Sequence, residues 1–229
     1  MSEVYHRWQT ASGGPGVNIA SRAMAEIKAH VIRGFKSLPK RGAEIGGVLL
    51  GSRNPENGEI VVEAFEPIQI EYSFGPSYIP SEADYSGWND WIRALRESSP
   101  RIVGLCRSQT RPGLRVAPED GNLIQHVMPD GDGVLLIVKP LSERECVAAF
   151  FPFVRGVVID GTTPSREFPF GAALHAADPE PPVQERRQLQ PLSRWIVVTA
   201  VAAGVGAAGV LHYMVESPPE NPVPSSLSH

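Results

Sequence analysis

Residues 195–215 run for 21 positions without an aspartate, glutamate, lysine or arginine, bounded by Arg194 and Glu216. Coiled as a helix, that run is about 32 Å long, enough to cross the hydrocarbon layer of a bilayer. Trp195 and Tyr213 stand where interfacial aromatics belong, with His212 close to the polar boundary. The run therefore reads as one transmembrane helix, and it confines a water-soluble fold to the residues before it. Arg186, Arg187 and Arg194 precede the span, whereas only Glu216 and Glu220 are charged after it, so the charge rule puts the N-terminal part in the cytoplasm. With a polar tail of only residues 216–229, the expected arrangement is a tail-anchored protein, and a bacterial inner membrane suits it best. Ala200, Gly204 and Ala208 recur every fourth residue within the span, a small-residue stripe suited to pairing two copies as a homodimer.

The soluble part is long enough for one core of ordinary size: the chain has 229 residues, 42% of them hydrophobic, and a net charge of -4. Its basic residues are scattered, with no interleaving of aromatics and cations, so nucleic acid is not an expected partner. Residues 1–16 hold no apolar core of a secretory signal and end in a glycine-rich run, which reads as a flexible segment. Residues 161–194 collect prolines and lose apolar periodicity, and read as a linker that as a flexible coil reaches roughly 32 Å root mean square. Cys106 and Cys146 fall in strand-like runs and read as buried thiols of a reducing compartment.

Between these ends, residues 17–160 alternate helical and extended patterns. Ala20, Met24, Ile27, Val31, Phe35 and Leu38 recur at three and four residues and predict a first helix over residues 18–38. Strands follow at residues 46–50 and 59–65, joined by a turn-rich stretch into a hairpin. Ser81 is placed to cap a second helix lined by Tyr85, Trp88, Ile92 and Leu95. Residues 101–108 read as a strand that brings Val103, Leu105, Arg107 and Gln109 onto one side and Cys106 onto the other. Pro118 opens a short helix with Asp120 in its first turn. Residues 133–139 and 146–154 supply two more strands. The fold class is mixed α/β.

Two segments carry the chemistry. Glu44 precedes the glycine-rich apolar run Ile45-Gly46-Gly47-Val48-Leu49-Leu50-Gly51, and about sixty residues on comes Val103-Gly104-Leu105-Cys106-Arg107-Ser108-Gln109, leading to Asp120. In order and distance these segments resemble the JAMM (MPN, Mov34, JAB1) metallopeptidase family. The resemblance implies a mixed sheet flanked by helices, with Glu44 at the position of the general base that activates zinc-bound water. It also puts the two zinc-binding histidines at Arg107 and Gln109, an oxyanion-assisting serine at Ala117, and the third zinc ligand at Asp120.

A zinc held by imidazoles and a carboxylate has no counterpart in arginine, whose guanidinium stays charged and offers no lone pair. At 4 Å and an effective dielectric near 20, a unit positive charge repels a dication by roughly 8 kcal/mol. Without the metal no water is activated. The expectation is a divergent, catalytically inactive domain that binds another protein as a scaffold or partner, holds no metal or other cofactor, and keeps a vestigial site of Glu44, Arg107, Gln109, Ala117 and Asp120. Arg107 is expected to replace zinc as the counter-charge between Glu44 and Asp120, with Gln109 completing the hydrogen bonds. The alternative is a metal-dependent isopeptidase or peptidase with a rearranged, non-standard metal site. A third reading has Arg107 and Arg111 holding an anionic ligand. His126 and His30 sit wrongly on their expected helices to rebuild a metal site, and His6, His175, His212 and His229 fall in the tails, linker or span.

Overall fold

The structure is a computed structural model that describes residues 3–9, 16–97, 99–159, 161–162, 164 and 166–171. The membrane span expected at 195–215, the tail and most of the linker lie outside these residues. Among the described residues no helix is long and apolar enough to cross a membrane.

The described chain is mixed α/β. In order it forms β1 (Tyr5–Trp8), β2 (Val17–Ala20), α1 (Ser21–Ser37), β3 (Gly46–Arg53), β4 (Ile60–Ile68), α2 (Glu82–Glu97), β5 (Arg101–Ser108), α3 (Pro118–Val127), β6 (Gly133–Pro140), β7 (Cys146–Val154), β8 (Val157–Val158) and β9 (Phe168–Phe170). The strands form one sheet in the order β1-β2-β4-β3-β5-β6-β7-β8, with β9 also on β7. Two neighbouring pairs run parallel, β2 with β4 and β5 with β6. The second is allowed because α3 and its loops carry the chain back between the strands, as a parallel pair requires.

Both faces of the sheet are covered. α1 lies on one face, where Ala23, Met24, Ile27 and Val31 are buried against Leu49, Val62, Val134 and Leu136. α2 and α3 cover the other, where Trp88, Ile92, Leu123 and Ile124 meet Leu105, Leu135 and Phe151. The sheet curls around α1, because Trp8 of β1 stacks on Phe168 of β9 at a centroid distance of 4.4 Å and leans on Phe150 of β7 at 5.7 Å. Strands far apart in the sheet order thus share one aromatic cluster.

Several local expectations need correction. The first helix starts at Ser21, not at Asn18, because Val17 and Ile19 alternate into the core as strand β2. At its far end Leu38 lies beyond the helix and is 46% exposed, while Gly34 lies in the buried stripe. The sheet also reaches past both expected domain boundaries, into residues 5–8 and 168–170. The helix cap at Ser81 does form: its hydroxyl accepts the Asp84 N–H at 3.2 Å, and Asp84 Oδ2 accepts the Ser81 N–H at 2.8 Å, a reciprocal capping arrangement.

Because Trp8 holds the β1 end of the sheet to the β7 and β9 end, Trp8→Ala should destabilise the domain by about 2 kcal/mol, read as a lowered urea midpoint. An unchanged midpoint would mean that the curled sheet is held elsewhere.

Candidate functional site

The glycine-rich run after Glu44 is β3 and the second segment is β5, and the two pair antiparallel with Gly46 opposite Arg107. Ser108 ties the start of β3 down twice, accepting the Ile45 N–H at its hydroxyl at 2.8 Å and donating its own N–H to the Ile45 carbonyl at 2.7 Å. Glu44 and Arg107 are thereby fixed at the same end of the sheet. The register contains a β-bulge: Leu49 faces Gly104 and Leu50 faces Ile102, leaving Val103 as the extra residue of β5. Val103 therefore packs with Cys106 on the α1 face, not with Leu105 and Arg107 as simple alternation predicts. Arg107 faces α3. Cys106 sits in the core, its thiol pushed up by burial.

Arg107 is 5% exposed and each of its three guanidinium nitrogens donates a hydrogen bond. Nε and Nη2 donate to the two carboxylate oxygens of Asp120, the second at 2.7 Å, a two-point pair between buried groups. Nη2 also donates to the Arg115 carbonyl at 3.0 Å and to Gln109 Oε1 at 3.4 Å, and Nη1 to the Ser108 carbonyl at 3.3 Å. Asp120 is the third residue of α3, and its Oδ2 accepts the Ala117 N–H at 2.7 Å. Ala117 occupies the cap position without a side chain that can cap, so Asp120 closes the first turn from inside the helix. Gln109 donates from Nε2 to the Gly113 carbonyl at 2.6 Å, so Gln109, Gly113, Arg115 and Asp120 are drawn around one guanidinium.

Glu44 takes a different set of partners. Thr110 donates its N–H and hydroxyl to Oε1 at 3.0 and 3.2 Å, and the Tyr78 N–H donates to Oε2 at 3.1 Å. The expected role of Arg107 as a bridge between both carboxylates is therefore corrected: it pairs with Asp120, and neutral donors hold Glu44. The reason is reach along the backbone, since the chain leaving β5 at Thr110 and the segment before α2 at Tyr78 both present main-chain donors to Glu44. Tyr78 comes this close because of a glycine. A Cβ on Gly46 would lie 2.2 Å from the Tyr78 ring, which is anchored through its hydroxyl on the Ile68 carbonyl at 2.9 Å.

The five residues singled out in the sequence, Glu44, Arg107, Gln109, Ala117 and Asp120, line one cleft of about 380 Å³. Ser77, Tyr78, Ile79, Arg111, Pro112, Arg115 and Glu119 complete it. Sequence reasoning missed Tyr78, Thr110 and Ser77. Tyr78 and Thr110 act through backbone N–H groups, which no residue pattern announces, Thr110 through its hydroxyl as well, and Ser77 lies in a segment without a helical or strand pattern. His126 lies elsewhere, at the far end of α3, with its ring 4.6 Å from Tyr85 and 6.4 Å from Trp88.

The donor set does not fit the zinc that the family resemblance implies. Both Asp120 oxygens face Arg107, both Glu44 oxygens accept hydrogen bonds, and the Gln109 carbonyl faces Arg107 and the Arg115 N–H. Among the described residues no group of three or more His, Cys, Asp or Glu side chains is placed to hold a metal ion.

No protein-family model and no curated protein matches the sequence. Among solved structures, the solution structure of a protein from Desulfitobacterium hafniense aligns at 20% identity and a TM-score of 0.46, over 66% of this chain and 90% of its own. One from Salinibacter ruber aligns at 14% identity and a TM-score of 0.36, over 64% and 91%. Both likenesses are loose.

Arg107→Ala leaves the Asp120 carboxylate buried without its cation, and should lower stability by about 3–5 kcal/mol in urea denaturation. A loss comparable to that of an exposed arginine, within about 0.5 kcal/mol, would show that the pair is not formed. Burial, with a smaller contribution from the Arg96 charge, holds the His126 imidazole below its ordinary 6.5, while a hydrogen bond with the Tyr85 backbone works the other way. The unfolded chain therefore takes up this proton first, and stability falls as pH drops below about 6.5. His30, lowered mainly by burial, adds to the same slope. His126→Gln should lose less Tm between pH 7 and pH 5 than the wild type; equal losses would exclude His126 as a source of the slope.

Proposed function

We propose that this chain is a membrane-tethered, catalytically inactive JAMM/MPN-like domain that works by binding another protein, as a scaffold or as one member of a complex. One observation carries the reading. The position where the family places its first zinc-binding histidine holds a buried guanidinium, bonded to the carboxylate that would be the third ligand. A cation so placed does for Asp120 what a metal would do, neutralising it, and leaves no electrophile to polarise a carbonyl or activate water. The pairing of the two motif segments as neighbouring strands, with Glu44 and Asp120 on one cleft, supports the same family reading. Ala117 adds to it by offering no hydroxyl.

In this reading the charge-free run 195–215 is the tether, residues from the end of the domain to 194 are the spacer, and the domain faces the cytoplasm. The tether then keeps the domain close to a membrane without fixing its pose, and a second protein chain is met there in two dimensions. Homodimerisation through Ala200, Gly204 and Ala208 belongs to the same proposal.

Zinc content tests it. The full chain, produced in zinc-supplemented medium without chelators, should carry below about a tenth of a zinc ion per chain by mass spectrometry and should leave isopeptide bonds intact. The double substitution Arg107→His with Gln109→His supplies two imidazoles beside Asp120, the three protein ligands of an open catalytic site, and should raise the zinc content toward one. Stoichiometric zinc in the wild-type protein would contradict the reading and restore a hydrolase.

A further inference from the structure

We propose that Arg41, Arg111 and Ser77 form a binding site for an oxyanion, the phosphate or carboxylate of a small molecule whose remainder lies in the cleft. Three separate segments meet there. Arg41 follows α1, Ser77 lies between β4 and α2, and Arg111 follows β5. The Ser77 side chain is buried, 5% exposed, yet two guanidinium groups converge on its hydroxyl oxygen: Arg111 Nη2 at 3.1 Å and Arg41 Nη2 at 3.3 Å.

The chemistry of this point is all donor. With both guanidinium groups donating to its oxygen, the Ser77 hydroxyl keeps its own hydrogen for another acceptor. Among the described residues each arginine places one nitrogen on Ser77, with no other side-chain hydrogen bond, and neither makes an ion pair. Two like charges held on one oxygen repel each other, and an anion between them removes that repulsion. Planar guanidinium forks match the spacing of carboxylate and phosphate oxygens.

The surrounding cleft agrees in charge and size. Arg115 lines it and makes no ion pair among the described residues, whereas Arg107 is neutralised by Asp120 and Glu44 is held by three neutral donors. Of the acids in the lining, Glu44 and Glu119 have no cationic partner among the described residues, and Arg41, Arg111 and Arg115 outnumber these two by one. A volume of about 380 Å³ suits a small molecule. Tyr78, Ile79, Pro112 and Ala117 offer apolar surface for the part of the ligand beyond its charged group. Arg107, an anion-holder by its position in the sequence, is excluded from that role by its bonds to Asp120, and Arg41, distant in the sequence, takes its place.

The test uses the full chain, with inorganic phosphate and citrate as probes at an ionic strength matched with sodium chloride. Calorimetry should show one site per chain for at least one probe. Tighter phosphate than citrate assigns a phosphate ester, and the reverse a carboxylate. Arg41→Gln and Arg111→Gln should each weaken binding about tenfold or more, Arg111→Lys should weaken it less, and Arg93→Gln, an exposed arginine of α2, should leave it unchanged. Urea midpoints of the variants, whose side chains are exposed, check that they fold. Absence of binding by both probes at about 10 mM, or equal binding by the Arg41→Gln/Arg111→Gln double variant, would overturn the proposal. It stands apart from the zinc result: a zinc-free chain that binds no anion loses only this site, and a zinc-loaded chain that binds phosphate keeps it.

Discussion

A guanidinium buried to 5% exposure must find its partners inside the protein, and the partners of Arg107 organise this end of the molecule. Its two-point pair with Asp120 joins the end of β5 to the first turn of α3. Its bonds to the Ser108 and Arg115 carbonyls and to Gln109 fold the loop between those elements back over it. Asp120 in turn receives the Ala117 N–H, so the same carboxylate both neutralises the arginine and starts the helix. Removing one member of such a pair is far costlier than replacing both, because the survivor stays buried and charged.

Glu44 shows how a carboxylate can be kept in the same cleft without sharing that cation. Three neutral donors hold it, two from Thr110 and one from the Tyr78 backbone. The arrangement depends on the absence of a side chain at Gly46, where the Tyr78 ring lies against β3. It also depends on the β-bulge at Val103, which resets the alternation of β5 so that Leu105 and Arg107 face α3 while Cys106 enters the core beneath α1. Both features set direction. One admits the backbone donor that Glu44 needs, and the other aims Arg107 at Asp120.

Much of this was legible in the sequence wherever a pattern was long or a boundary was chemically marked. β5 spans residues 101–108 as read, α3 begins at Pro118, and Ser81 caps α2. The five site positions also fell together, because a strand and a helix start bring Arg107 and Asp120 to one place whatever their roles. What was not legible has physical causes. Val17 to Ala20 is too short for its period to separate strand from helix. β9 was hidden by Pro169, which looks like a breaker but is tolerated on an edge strand such as this one, paired among the described residues with β7 alone. The sharing of Arg107 between both carboxylates was expected from charge alone. Two backbone N–H groups and the Thr110 hydroxyl decided otherwise, and the N–H groups leave no mark in a list of side chains.

The central claim is that Arg107 and Asp120 stabilise one another as a buried pair, and a double-mutant cycle measures that coupling most directly. Arg107→Met, Asp120→Leu and the double variant, compared with the wild type by urea denaturation, give an interaction energy free of each residue's separate contacts. The account predicts a coupling of about 2 kcal/mol or more, with the double variant more stable than the less stable of the two single variants. Additive losses, with a coupling near zero, would contradict it.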